Sequence, residues 1–317
     1  MSSSILNVDL KNLKLPSWLT LGTPASGSAG LKAHYPPVAL DMGINQVALT
    51  RLAKDKEAKK WSLTSYDLVE IPEDLLDSDF FRMRVRSADR FRELVAGAMR
   101  REGVETDRIS MVIPDHLARV ALLSFDELPR TRREVIEMVR WKMKKAVPFK
   151  VEESTVDYQV LPRAEGGYTL LSVLIPTSIL EEHESLLAGQ NIRVGLIDLS
   201  TFSLVHLYRS VVDAEVPADG EFMLLNATGT FFTVMIFRAG VPIFYRCKTF
   251  AFGGVDDPES NHRLIHREVQ ASLLYYQERL GGTTLSRVYM RLTGHDPKRV
   301  ASVLAWAVTA SMLTDTA

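Results

Sequence analysis

Val38-Ala39-Leu40-Asp41-Met42-Gly43-Ile44-Asn45-Gln46-Val47-Ala48-Leu49-Thr50-Arg51-Leu52-Ala53 is the stretch on which the fold turns. Two short apolar runs, Val38 to Asp41 and Gln46 to Ala53, flank a tight Gly43-Ile44-Asn45 turn, which reads as a pair of strands. A charged turn, Lys54 to Lys60, leads into a third strand, Trp61 to Ile71. From Ser87 to Glu102 the period changes. Phe91, Leu94, Val95, Ala98 and Met99 recur at helical spacing on one face, and Gly103 ends the helix. Ile109 to Ile113 is a fourth strand.

The second half has the same order. Phe222 to Leu225 and Thr230 to Phe237 are strands, and Arg238-Ala239-Gly240 turns the chain into Val241 to Thr249. Asn261 to Leu280 is a helix with Leu264, Ile265, Val269, Leu273 and Leu280 on one side, stopped by Gly281-Gly282. Arg287 to Leu292 is a strand, and Arg299 to Leu313 a last helix. Three strands, a helix and a strand thus occur twice, without visible sequence identity between the halves.

Between them lies an insertion. Thr131-Arg132-Arg133-Glu134 has capping-box spacing. Val135, Val139, Met143 and Ala146 form an apolar stripe, Lys142, Lys144 and Lys145 suit the negative end of the helix dipole, and Pro148 ends the helix. Thr155 to Leu161 and Tyr168 to Ile175 form a hairpin around Glu165-Gly166-Gly167. Ser178 to Gly189 reads as a helix opened by a second capping box, Ser178 with Glu181. Ile192 to Leu199 is a strand and Ser200 to Arg209 a helix.

The chain has 317 residues, 46% hydrophobic and 24% charged, with a net charge of -1. That length carries a sizeable core. The balance lacks the basic excess of a nucleic-acid-binding protein. One cysteine, Cys247, cannot close an intramolecular disulfide. No run approaches the roughly 18 apolar residues of a membrane span, and Met1 to Lys14 lacks a signal-peptide pattern. Residues 1–36 read as a flexible tail, small and turn-rich from Gly22 to Gly30. Leu15, Trp18 and Leu19, in the segment Asn12 to Leu21, are suited to docking on a groove of this chain or of a partner.

Five segments in order resemble the PilM family of type IV pilus assembly proteins, relatives of the cell-division protein FtsA. They are Val38-Ala39-Leu40-Asp41-Met42-Gly43; Leu122 to Pro129 with Val135 to Phe149; Val156-Asp157-Tyr158-Gln159-Val160; Val173-Leu174-Ile175-Pro176 through Gly195-Leu196-Ile197-Asp198 to Phe202 and Leu204; and Glu268 to Gly282. The helix from Val135 is more basic than the family's. The resemblance implies an α/β, actin-like (ribonuclease-H-like) two-lobed fold with a small inserted α+β subdomain. The lobes would be 37–115 with 176–215, and a shortened 216–317, with 116–175 inserted. It further implies a cytoplasmic scaffold held at the inner membrane through partners. Those partners would be the N-terminal segment of a PilN-like inner-membrane protein, bound in a groove of the first lobe, and the pilus motor ATPases.

The resemblance also implies a nucleotide site. Actin-like proteins hold ATP and magnesium between two loops, where Gly permits close backbone approach to phosphate and Asp holds hydrated magnesium. Asp41, Gly43 and Asn45 stand for the first loop, with Asp41 as the metal partner. Asn226, Gly229 and Thr230 stand for the second, and Gly294 for the adenine region. Three departures weaken the site. Ala48 replaces a lysine, Asn226 replaces an acid, and the segment after Gly294 is short. Hydrogen bonds to charged groups contribute about 1.5–3 kcal/mol each. Two such losses imply a drop in affinity of about a hundredfold or more. The expectation is weak or absent ATP binding and negligible hydrolysis.

The rival readings are an active actin-like ATPase or small-molecule kinase, and an FtsA-like filament former on membranes. An acid at position 226 would favour the ATPase. No P-loop and no G-x-S-x-G occurs. His262 and His266, four apart on a helix, read as solvated or capping residues. The run Arg82, Arg84, Arg86, Arg90 and Arg92 reads as a solvated edge. Val303, Leu304, Trp306, Val308 and Met312 of the last helix read as core packing.

Overall fold

The computed structural model describes residues 36–54, 61–78, 82–161, 166–250 and 258–302. The tail before Pro36, most of the charged turn at 54–60, and the last helix beyond Ser302 lie outside them. Two compact units divide the chain. One comprises Met1–Leu76, Val85–Ile113 and His183–Val212; the other comprises Asp77–Arg84, Pro114–Glu182 and Asp213–Ala317.

The first unit is built on the hairpin of β1 (Val38–Met42) and β2 (Gln46–Lys54), extended by β3 (Trp61–Glu70). Short strands β4 (Leu76–Ser78) and β5 (Met83–Val85), most of whose residues belong to the second unit, precede helix α1 (Ala88–Arg101), and β6 (Arg108–Ile113) follows it. β1 pairs antiparallel with β2 and parallel with β6, with Leu40 opposite both Leu49 and Met111. The later strand β10 (Arg193–Leu199) adds in parallel to β6, so the sheet order is β10-β6-β1-β2-β3. Alternation sends Leu40, Val47 and Leu49 to one face, where they meet Phe91, Val95 and Ala98 of α1. Ser87 caps α1 by accepting from the Arg90 amide. Arg101 pairs with Asp67 at 2.7 Å, and the Ser65 hydroxyl donates to Glu102 at 2.7 Å, fixing the far end of α1 to β3. In the arginine run, Arg90 pairs with Asp74 and Arg92 with Asp89, both at the surface.

In the second unit, β7 (Arg119–Phe125), helix α2 (Arg132–Met143), β8 (Ser154–Leu161) and β9 (Tyr168–Pro176) form a three-stranded sheet, order β7-β9-β8, with one helix across it. Val135, Val139 and Met143 pack on Val156, Leu170 and Leu174. The Thr131–Glu134 capping box is fully formed. The second expected box is not. Helix α3 (Thr177–Ser185) follows β9 directly, so Ser178 is already inside the helix and cannot cap it. In the first unit, a 3-10 turn at Ala188–Gln190 takes the place of the expected continuation to Gly189. Helix α4 (Ser200–Glu215), in the first unit as far as Val212, runs past its expected end at Arg209.

The four-stranded sheet repeats the plan of the first. β11 (Glu221–Ala227), β12 (Phe231–Arg238) and β13 (Val241–Thr249) are an antiparallel meander, helix α5 (Pro258–Leu280) follows, and β14 (Arg287–Leu292) returns parallel to β11. The order is β13-β12-β11-β14. β12 is buried on both faces, which is why Phe231 to Phe237 is a nearly unbroken apolar run. One face, with Met223, Leu225, Phe232 and Val234, meets Ile265, Val269 and Tyr276 of α5. The Tyr276 hydroxyl donates to Glu221, which also holds Arg238, while Arg238 reaches the Leu280 carbonyl at 2.9 Å. Gly282 lies flat on the Tyr276 ring, where a Cβ would come within 2.1 Å of ring carbons. The pairing of Tyr276 with Gly282, at the end of the segment Glu268 to Gly282, is therefore a packing device.

Gly282→Ala should cost about 1–3 kcal/mol through overpacking. Thr131→Ala should cost about 1 kcal/mol through loss of a helix cap. Both are read by urea denaturation.

Candidate functional site

In the first unit the expected loop residues come together at the β1–β2 turn. Asp41 sits near the end of β1, half-buried, opposite Ala48 on β2 and Val112 on β6. The Gly43 amide donates to the Gln46 carbonyl at 2.9 Å, and the Asn45 carbonyl accepts from the Ile71 amide at 2.9 Å. A Cβ on Gly43 would stand 2.8 Å from the Gln46 oxygen, so glycine is required by the closeness of the turn. Asn45 itself is exposed.

Sequence reasoning did not nominate Asp198 for the site. It lies on β10 in the same row as Asp41, because Val112 pairs with both. Asp198 Oδ2 accepts from the Ser203 hydroxyl at 2.7 Å and Oδ1 from the Leu199 amide at 2.8 Å. Burial outweighs these donors and pushes its carboxyl up to about 6. The signal available was an Asp near the end of an apolar strand, separated by Leu199 alone from Ser200 and Thr201. On α4, His206 is pulled down to about 4 by burial.

In the second unit Asn226, Gly229, Thr230 and Gly294 also come together, with one correction to the reading. Asn226 and Ala227 are not loop residues; they complete β11, and Asn226 is fully buried. The purely apolar count that stopped the strand at Leu225 missed a polar residue held by neighbours. Asn226 Oδ1 accepts from Arg291 of β14 at 3.4 Å. Opposite it on β12 is Thr233, whose hydroxyl donates to Asp115 at 2.6 Å. Asp115 is completely buried in a 3-10 turn, Asp115–Leu117, just after β6. Burial first, and the Asp115 charge second, push the Tyr245 hydroxyl and the Cys247 thiol upward.

The loop itself is Thr228-Gly229-Thr230. The Thr228 amide donates to the Phe231 carbonyl at 2.8 Å. The Thr228 hydroxyl oxygen accepts from the amides of Thr230 and Phe231, both at 3.3 Å. Gly229 has open space around its Cα. Gly294 adopts φ +78°, and the next residue, His295, donates from Nε2 to the Thr228 carbonyl at 2.6 Å. Burial and the nearby His262 ring pull His295 below the usual imidazole range, against the carbonyl hydrogen bond. His262 is 8% exposed, its ring 5.9 Å from that of His295, so its expected solvated role is corrected. Helix α5 starts at Pro258, three residues before the expected Asn261.

Two sheets that share the order β6-β1-β2-β3 and β14-β11-β12-β13, each with a loop after its first strand, define an α/β protein of the actin-like fold. A chain of the PilM–PilN type IV pilus biogenesis complex superimposes with a TM-score of 0.66 at 16% identity, over 86% of this chain and 85% of that one. A Bacteroides thetaiotaomicron protein with actin-like ATPase fold and unknown function gives 0.48 at 10% identity, over 86% and 88%. The cytoplasmic domain of EpsL, an inner-membrane component of the Vibrio cholerae type II secretion system, gives 0.41 at 12% identity, over 86% and 94%. At these identities the likeness is one of fold. No protein-family model and no curated protein matches the sequence.

A carboxyl whose pKa rises on folding binds its proton more tightly in the folded chain, so Asp198 lowers stability as pH rises from about 4 to about 6. Asp198→Asn should therefore be more stable than the parent above pH 6, by on the order of 1–3 kcal/mol. The difference should vanish near pH 4. Urea denaturation across that pH range measures it.

Proposed function

We propose that this chain is an adaptor in the assembly machinery of a type IV pilus or a related secretion system. It binds the cytoplasmic segment of a PilN-like inner-membrane protein, contacts the motor ATPases, and binds ATP with magnesium weakly or not at all. The observation that carries this reading is the superposition, at a TM-score of 0.66, on a chain from a PilM–PilN complex. Among the described residues no helix is long and apolar enough to cross a membrane, so the reading places the chain at the inner face of the membrane through its partners.

The loop geometry supports the weak nucleotide site. Backbone donors that would serve phosphate oxygens are engaged within the protein, Gly43 by Gln46, and Thr230 and Phe231 by Thr228. Position 226 offers a neutral amide already hydrogen-bonded to Arg291. These groups do not fit a magnesium–triphosphate, and no chemical step is assigned to them. The observation on the other side is the Asp41–Asp198 row, two carboxyls near the C-terminal ends of parallel strands, where α/β sheets bind ligands. An actin-like ATPase is the reading it favours.

Calorimetric titration with ATP and magnesium, with and without a PilN-like N-terminal peptide, separates the two. The adaptor should bind the peptide and show ATP binding weaker than about 0.1 mM, a free energy of roughly −5 kcal/mol or less favourable. Micromolar ATP binding would establish a working nucleotide pocket. Absence of peptide binding would remove the adaptor role.

A further inference from the structure

The outer face of β2 and β3, opposite α1, carries four exposed large apolar side chains. Leu52 is 39% exposed, Leu63 41%, Tyr66 55% and Leu68 57%. They form one patch because of a register shift. Val47 and Leu49 face α1, which sends Ala48, Thr50 and Leu52 outward. On β3, Tyr66 stands opposite Thr50 and Leu68 opposite Ala48. A bulge between the Arg51–Ser65 and Leu52–Leu63 pairs adds one residue, Thr64, and reverses the side-chain phase, so Leu63 joins the same face. β3 is the edge strand of its sheet. An exposed apolar edge of this kind invites pairing and is ordinarily covered.

The place where the chain enters the sheet indicates the cover. The Pro37 carbonyl accepts from the Leu52 amide at 2.8 Å, and the buried Ser110 hydroxyl donates to the Pro36 carbonyl at 3.4 Å. The described chain therefore enters the sheet at the Leu52–Leu63 end of the patch, and residues 1–35, which precede this point, lie outside the described residues. Within them, Leu13, Leu15, Trp18, Leu19 and Leu21 concentrate the large apolar side chains. The connection from Leu21 to Pro36 is long enough to reach roughly 50 Å. The patch from Leu52 to Ala48 spans only about 14 Å. Tethering raises the local concentration of such a segment to about millimolar, so modest affinity suffices. Glu70, exposed on the same face beyond Leu68, complements Lys11 and Lys14.

We propose that the segment Asn12 to Leu21 docks on the outer face of β2 and β3 of its own chain, with Trp18 and Leu19 on Leu63, Tyr66 and Leu68. The proposal concerns the chain alone and does not rest on the adaptor reading.

The test uses the full-length chain carrying Tyr66→Cys in a Cys247→Ser background, labelled with a benzophenone maleimide. Irradiation followed by peptide mapping should place the adducts in residues 12–21 of the same chain, in a band of monomer size. Adding Trp18→Ala and Leu19→Ala should reduce those adducts at least tenfold. A second probe, Leu68→Cys, should give the same mapping. Adducts between two chains would identify the face as a self-association surface and overturn the proposal. Adducts confined to residues 303–317, or none from either probe, would overturn it equally.

Discussion

The five-stranded and the four-stranded sheet each depend on one constraint, the double pairing of a first strand, β1 or β11. β1 is hydrogen-bonded to β2 on one side and, after more than fifty intervening residues, to β6 on the other. β11 has the same position between β12 and β14. A parallel partner cannot be reached through a tight turn, so a long crossover connection is needed, most often one that carries a helix. α1 and α5 fill that role, and each covers one face of the sheet it closes. Their apolar stripes are the necessary counterpart of the central strands. Leu40 and Leu49 meet Phe91's helix in one unit, as Met223 and Val234 meet Val269's in the other.

The ends of those central strands are where loops gather. In an α/β sheet the carboxyl ends of parallel strands form the natural binding edge. Here the loop after β1 is drawn tight by the Gly43 amide, and the loop after β11 is tied by the Thr228 hydroxyl and the His295 ring. Satisfying backbone donors internally stabilises a turn and withdraws the same groups from a ligand. Beneath the second loop, Arg291, Asn226, Thr233 and Asp115 form a buried polar row in which the single described carboxylate, Asp115, comes from outside the sheet. An acid at position 226 would share that row with Asp115, and like charges in a buried site oppose one another. The asparagine is consistent with its surroundings.

Much of the architecture was legible because burial and period coincide. The alternation around Val38 to Ala53, the helical stripe from Phe91 to Met99, and the capping box at Thr131 each carry their own local reason. What escaped were residues whose state is set by distant partners. Asn226 looked like the start of a loop, yet its partner Arg291 lies 65 positions away and makes it a strand residue. His262 looked solvated until the ring of His295 was placed beside it. Asp115 and Asp198 stood in plain view at the ends of apolar strands, but nothing local separates such an aspartate from an ordinary turn residue. Ser178 had the spacing of a cap, and only the direct continuation of β9 into α3 placed it inside the helix. Thr64 carries no local mark of a bulge, and the phase reversal that gathers Leu63, Tyr66 and Leu68 needed the cross-strand register.

The sequence by itself determined the kind of most of the longer elements, the repeated order of strands and helix in the two halves, and the glycine-bearing turns. Those properties follow from side-chain periodicity and backbone sterics within a few residues. Only the tertiary structure decided which strands are central, which polar groups are already satisfied, and which apolar side chains remain exposed. Those properties are set by hydrogen bonds and contacts between residues far apart in the chain, and a local pattern has no access to its distant partner.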